Sequence, residues 1–226
     1  MKGQEGESYS SPAMQERRRR ILSEARKLVS ERGFAGFSLA ELGKRAGVAK
    51  QTLYYAFGSK EAVVAAAILD YFEEYEQRIP YRATSGSLDR LIERQVAIGR
   101  RNLTIRNYVA ALVSIYFGDA PELWSAMHAV AALSHRAYVE RLERENCLHP
   151  WCDPDVLVDG MVGQLFITAN AWVQGRLPDG QMIDRLVVGL LTYLSGAVTE
   201  SEREAIAQAI SRIADQGAEA YVAALG

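Results

Sequence analysis

Apolar side chains recur at helical spacing from Met14 onward: Ile21, Leu22, Ala25, Leu28 and Val29 fall at i, i+1, i+4, i+7 and i+8, and Gly33 stops the run. This predicts a first helix. Ser38 followed by Glu41 has the spacing of a capping box, so a short second helix is expected to begin at Leu39, with Leu39 and Leu42 facing inward. Ala46-Gly47-Val48 interrupts it, with a glycine able to take a positive φ in the turn. In the third predicted helix, Lys50 to Phe57, the i, i+4 pair Leu53 and Phe57 faces the core. Gln51, Thr52, Tyr54 and Tyr55 are left largely on other faces. Ser59 then caps a fourth helix whose apolar stripe is Val64, Ile68, Tyr71, Phe72 and Tyr75. Val48 completes the expected small core with Leu39, Leu42, Leu53 and Phe57.

Beyond Pro80 no strand-like alternation occurs, and helical patterns run over about 87–101, 103–117, 121–146, 154–176, 181–197 and 201–224. No repeat of 20 to 50 residues is present. Residues 1–13 are polar and non-periodic and are expected to form a disordered arm. The chain is therefore expected to be all-α. It divides into the arm, a unit over 14–60, a connecting helix over 61–80 and a larger helical part over 81–226.

Charge sharpens that division. Residues 1–60 hold 12 Lys and Arg against 6 Asp and Glu, while residues 61–226 hold 14 against 22, although the whole chain of 226 residues carries only -2. A basic end on an acidic body is the footprint of a protein that neutralises phosphates. The Arg17 to Arg20 cluster fits either a phosphate-facing start of the first helix or a solvated face. With 49% hydrophobic and 24% charged residues the composition is that of an ordinary globular protein.

No run of 18 apolar residues and no signal-peptide pattern is seen, and the expected compartment is the cytoplasm. Two cysteines, Cys147 and Cys152, are too few for a disulfide framework. With His149 they offer three zinc ligands or a thiol switch, but structural zinc takes four ligands, and a loop with incidental cysteines is the preferred reading. His128, His135 and His149 stand in no HExxH or nucleophile-elbow context, and no phosphate-binding glycine loop occurs. Neither an enzyme nor a cofactor is expected.

Two short helices joined by a glycine turn, the second bearing small polar and tyrosine side chains, suit insertion into the major groove. The segment from Phe37 to Glu61, with Thr52-Leu53-Tyr54, then Phe57, then Ser59-Lys60-Glu61, resembles the DNA-binding signature of TetR-family bacterial transcription regulators. The strong match covers about residues 15–65. The resemblance implies that Lys50, Gln51, Thr52 and Tyr54 lie on or beside the recognition surface, that Tyr55 and Lys60 hold backbone phosphates, and that Ser38 belongs to the DNA-binding set. Tyr54 and Tyr55 would otherwise pack between helices. Ala56 departs from the family, which usually has His before the Phe, so one common phosphate contact is missing.

The same resemblance implies a body that holds a small-molecule cavity and dimerises through its last long helices. On 154–197 the residues Leu157, Met161, Leu165, Trp172, Ile183, Leu186, Leu190, Leu191 and Leu194 supply apolar surface that fits a four-helix interface or, alternatively, completes the core of one chain. Candidate pocket residues are Tyr108, Tyr116, Phe117, Trp124, His128, Phe166 and Asn170, since such sites are mostly apolar with a few polar groups. The implied function is that of a regulator, a repressor released from a pseudo-palindromic operator by an apolar or aromatic effector. The implied partners are double-stranded DNA, the effector and a second copy of the chain.

Overall fold

The computed structural model describes residues 12–225, and all of its regular structure is helical. The N-terminal unit is α1 (Pro12–Arg32), α2 (Leu39–Ala46) and α3 (Lys50–Phe57), followed by the connecting α4 (Lys60–Glu76). Pro12 and Ala13, expected in the arm, already form the first turn of α1, where the fixed φ of proline suits a helix start. Residues 1–11 of the expected arm lie outside the described residues.

Ile21, Leu22, Ala25, Leu28 and Val29 of α1 are all buried, as their spacing predicts, and meet Leu39, Leu42 and Leu53. Val48 and Phe57 are half-buried against the same cluster. Each fully buried leucine contributes about 1.5–3 kcal/mol, so this small unit rests on a handful of side chains.

The expected capping box does not form. Ser38 is the N-cap residue of α2, but its side chain caps no amide. Glu41 is drawn instead to Arg45 Nε at 3.1 Å, and the rest of that guanidinium grips Glu31 of α1 at 2.8 and 2.9 Å. A charge-assisted fork outbids the weaker bond to a backbone amide, and it ties α2 to α1. Ser59 does cap α4, its Oγ accepting from the Ala62 amide at 3.0 Å.

The body comprises α5 (Leu88–Thr104), α6 (Arg106–Tyr116), α7 (Pro121–Arg144), α8 (Pro154–Val173), α9 (Asp179–Ser195), α10 (Glu200–Gln216) and α11 (Ala218–Ala223). The last predicted helix is two, because Gly217 takes φ +86° and Asp184 of α9 accepts a 2.8 Å hydrogen bond from the Ala218 amide, starting a new helix. An isolated antiparallel bridge, Leu148 to Val198, fastens the α7–α8 loop to the α9–α10 turn.

The apolar residues expected at a dimer interface are mostly spent within one chain. Leu157, Met161, Trp172, Ile183, Leu186, Leu190, Leu191 and Leu194 are buried and Leu165 is half-buried, because α8 packs against α6, α7 and α9. By length and composition α8, with mean hydropathy 1.4, could cross a membrane. Its apolar residues are in large part the core of the body.

Candidate nucleic-acid interface and effector region

The α2–α3 turn is built by backbone contacts. Gly47 caps α2 in the left-handed conformation, at φ +65°, and the Val48 amide donates to the Gly43 carbonyl at 2.9 Å. That close return leaves no room for a side chain on Gly43, whose Cβ would lie 2.7 Å from the Val48 carbonyl oxygen. Arg20 of α1 donates to the Ala46 carbonyl at 3.0 Å, satisfying the end of α2. The arginine cluster is thus partly structural: Arg19 pairs with Glu16, and Arg18 stands 5.1 Å over the Phe57 ring.

Of α3 only Leu53 is fully buried. Tyr54 is 47% exposed and Tyr55 83%, so neither is consumed in packing between helices. Ser38, Lys50 and Gln51 are also exposed, while Thr52 and Lys60 are half-buried. The Lys50 ammonium stands 5.5 Å over the Tyr54 ring, and Gln51 Nε2 donates to Tyr55 Oη at 3.4 Å, an order along the outer face of α3. Lys60 opens α4 with its ammonium 4.2 Å over the Phe34 ring. A lysine at a helix start works against the helix dipole. Lys50 and Lys60 therefore add positive charge where two helices already present unsatisfied amides, an arrangement that favours phosphate.

In the body, five of the candidate pocket residues form one aromatic cluster. Tyr116 stacks on Phe166 at 3.7 Å and meets Phe117 edge-on at 5.2 Å, and Trp124 stacks on His128 at 4.6 Å. His128 Nε2 lies 2.8 Å from Asp159 of α8. Phe117 is 55% exposed, which makes this cluster a surface feature in part. Tyr108 lies apart from it, against Tyr71, and Asn170 takes no part in those ring contacts. Phe166 also lines a small interior cavity of about 40 Å³ with Phe72, Ile98, Asn102, Leu112 and Leu165.

Sequence reading missed Ile98, Asn102 and the buried polar groups near them, since α5 reads as an amphipathic helix with many charges. His149 Nε2 meets Arg203 at 3.0 Å, which engages a nitrogen a metal would need. Among the described residues no group of three metal-ligating side chains is assembled.

This architecture, a glycine-turned pair of short helices with an exposed second helix on a larger helical body, is that of a helix-turn-helix protein. Residues 21–67 match the family described as bacterial regulatory proteins, tetR family. That N-terminal segment is thus similar to the DNA-binding part of TetR-family regulators.

It is similar over 69 residues, at 38% identity, to the HTH-type transcriptional repressor NemR of Escherichia coli strain K12, a stretch covering 30% of this chain and 35% of that one. Over 67 residues it is 33% identical to the HTH-type transcriptional regulator HbdR of Aromatoleum sp., covering 30% and 29%. The chain thus matches about a third of the length of these curated relatives. A TetR-family regulator of Streptomyces coelicolor has the same fold, with TM-score 0.62, 20% identity, and coverage of 88% of this chain and 89% of that one.

Proposed function

We propose that this protein is a homodimeric, sequence-specific DNA-binding transcription regulator, working in the cytoplasm as a repressor that a small molecule releases from its operator. The observation that carries this reading is α3, which buries only Leu53 and turns Tyr54, Tyr55, Gln51 and Lys50 outward. Exposed large side chains on a short, rigidly turned helix have no structural use, whereas the major groove admits one helix and offers a distinct pattern at each base pair. Gln51, Thr52 and Tyr54 read bases, while Lys50, Tyr55, Lys60 and Ser38 hold phosphates. Neither catalysis nor a cofactor enters this reading.

One recognition helix spans few base pairs, so selectivity calls for two. A two-fold dimer reads a pseudo-palindrome with half-sites about 34–36 Å apart or a multiple of it. Release needs no contact between effector and DNA. A ligand that prefers a dimer with misplaced recognition helices lowers operator affinity by the same factor by which DNA lowers its own, typically about 5- to 150-fold. α4 is the lever: Lys60 is at its DNA end, and Tyr71, Phe72 and Tyr75 are anchored in the body.

Binding of the chain to DNA from immediately upstream of its own coding sequence, followed across salt concentration, tests this reading. Lys60→Ala should weaken all sequences alike and lower the salt slope by about one, because one phosphate contact is lost. An absence of any preference for that DNA over random duplex overturns the reading, and an unchanged slope removes Lys60 from the interface.

A further inference from the structure

The four consecutive arginines of α1, Arg17 to Arg20, do not share one task. Arg19 pairs with Glu16 at 3.1 Å, and Arg20 donates to the Ala46 carbonyl at 3.0 Å. Arg18 stands 5.1 Å over the Phe57 ring, a contact with the ring face that uses none of its N–H groups. Arg17 is exposed and has no hydrogen-bond or ion-pair partner among the described residues. Two cations of the cluster are thus left over once the fold is satisfied.

Both line one groove. It measures about 420 Å³ and is formed by Arg17, Arg18 and Ile21 of α1 and by Thr52, Tyr55 and Ala56 of α3. Among the described residues no carboxylate lines it, and Glu16, the acid nearest in sequence to Arg17, is held by Arg19. The groove therefore joins two unneutralised positive charges and two hydroxyls to an apolar surface.

A strand of duplex DNA has the complementary make-up, with anionic phosphates alternating with the apolar faces of deoxyribose. Position points the same way. Thr52 and Tyr55 belong to α3, the proposed recognition helix, and a helix with its side chains is about 10–12 Å across while the major groove is about 12 Å wide. With α3 seated there, the strand bordering the groove passes immediately beside α3, where α1 stands.

We propose that the groove between α1 and α3 holds the sugar–phosphate backbone at the edge of a half-site, with Arg17 and Arg18 binding phosphate and Ile21 and Ala56 facing deoxyribose. This rests on the reading of α3 as the helix that enters the major groove. Such contacts fix register and orientation and carry no sequence information. They extend the DNA footprint from α3 to the start of α1.

Binding of the full chain to the DNA upstream of its coding sequence and to an unrelated duplex, each followed across salt concentration, tests the groove. Arg17→Gln and Arg18→Gln should each lower the salt slope by about one and weaken both duplexes alike, by about five- to ten-fold at 0.1 M salt. Arg17→Lys, which keeps the charge, should restore most of the slope. Arg32→Gln makes the same change of charge at an exposed residue about 22 Å further along α1, and it should leave the slope as it is. Ala56→Leu changes no charge but fills the groove from an exposed helical position, and it should weaken both duplexes with the circular dichroism unchanged. With Arg17→Gln it decides the matter if loss of the contact with Phe57 unfolds the Arg18 variant.

A folded Arg17→Gln protein with the wild-type slope, an equal fall in slope for Arg32→Gln, or Ala56→Leu binding at wild-type affinity overturns the groove as a DNA contact. A change in the sedimentation of Ala56→Leu without DNA also overturns it, by making the groove an interface between copies. A slope that falls for Lys60→Ala but not for Arg17→Gln removes the groove alone. Equal wild-type affinity for the two duplexes, with a slope that still depends on Arg17, removes the operator reading and keeps the groove, and a chain that binds neither duplex removes both.

Discussion

His135 of α7 is completely buried, and neither of its ring nitrogens has a partner among the described residues. Burial, assisted by the charge of Arg94, holds its pKa at about 3 against an ordinary 6.5. Below pH 6.5 the unfolded chain takes up a proton that the folded chain refuses. The folded state therefore loses stability as the pH falls, by up to about 1.4 kcal/mol per pH unit, until the folded pKa is reached. Above 6.5 the residue has no influence on the pH profile. His135→Leu should flatten this limb: denaturant unfolding at pH 7.5 and 5.5 should show the wild type losing about 1 kcal/mol more than the variant. Equal losses would mean that the imidazole is protonated in the folded protein.

Among the elements, the turn of the helix-turn-helix is where backbone geometry governs function. Gly43 and Gly47 look alike in sequence, yet they are required for different reasons. A Cβ on Gly43 would collide with the Val48 carbonyl oxygen, whereas one on Gly47 meets open space and suffers only from the positive φ. Gly43→Ala should therefore force α2 and α3 apart, cost about 1–3 kcal/mol and abolish operator binding. Gly47→Ala should cost about 1 kcal/mol and leave the shape of the site intact. Melting curves with operator titrations of both variants check the ranking, and a milder effect at Gly43 would contradict the packing of this turn.

At the scale of the whole molecule, the dimer proposed above would have to use what α8 and α9 do not bury. Val156 and Ile167 of α8 are 62% and 56% exposed, and Tyr193 of α9 lies over Gly160 of α8, where a Cβ would clash with its hydroxyl. These apolar groups on adjacent helices are the surface we expect that dimer to use, and a two-fold interface presents the same patch twice. Ile167→Arg places two like charges near each other across that interface. Sedimentation should show the variant shifted to monomer at micromolar concentration, with its helical circular dichroism unchanged. A variant that remains dimeric locates the interface elsewhere.

Helix positions along this chain follow from local chemistry. The apolar stripe of α1, the stop at Gly33, the Ser59 cap and the exposure of Tyr54 and Tyr55 all come from residues within a turn or two of one another, and periodicity records such short-range facts directly. The α2–α3 segment proposed to face DNA was legible as two helices and a turn for the same reason, being a contiguous run with a glycine turn. Competition between distant groups is not written locally. Arg45 takes Glu41 away from Ser38 because α1 brings Glu31 alongside, and Asp184 divides the last helical run because α9 reaches the Ala218 amide. The sequence likewise left open whether the leucines of α8 and α9 serve a core or an interface, and packing against α6 and α7 settles most of them as core. Arg101 is the sharpest case. In sequence it is one charge among many on an amphipathic helix, and only the approach of Tyr71 and Tyr75 from α4 buries it against ring faces, with no carboxylate paired to it among the described residues, since the cost of a charge depends on which groups the fold places around it.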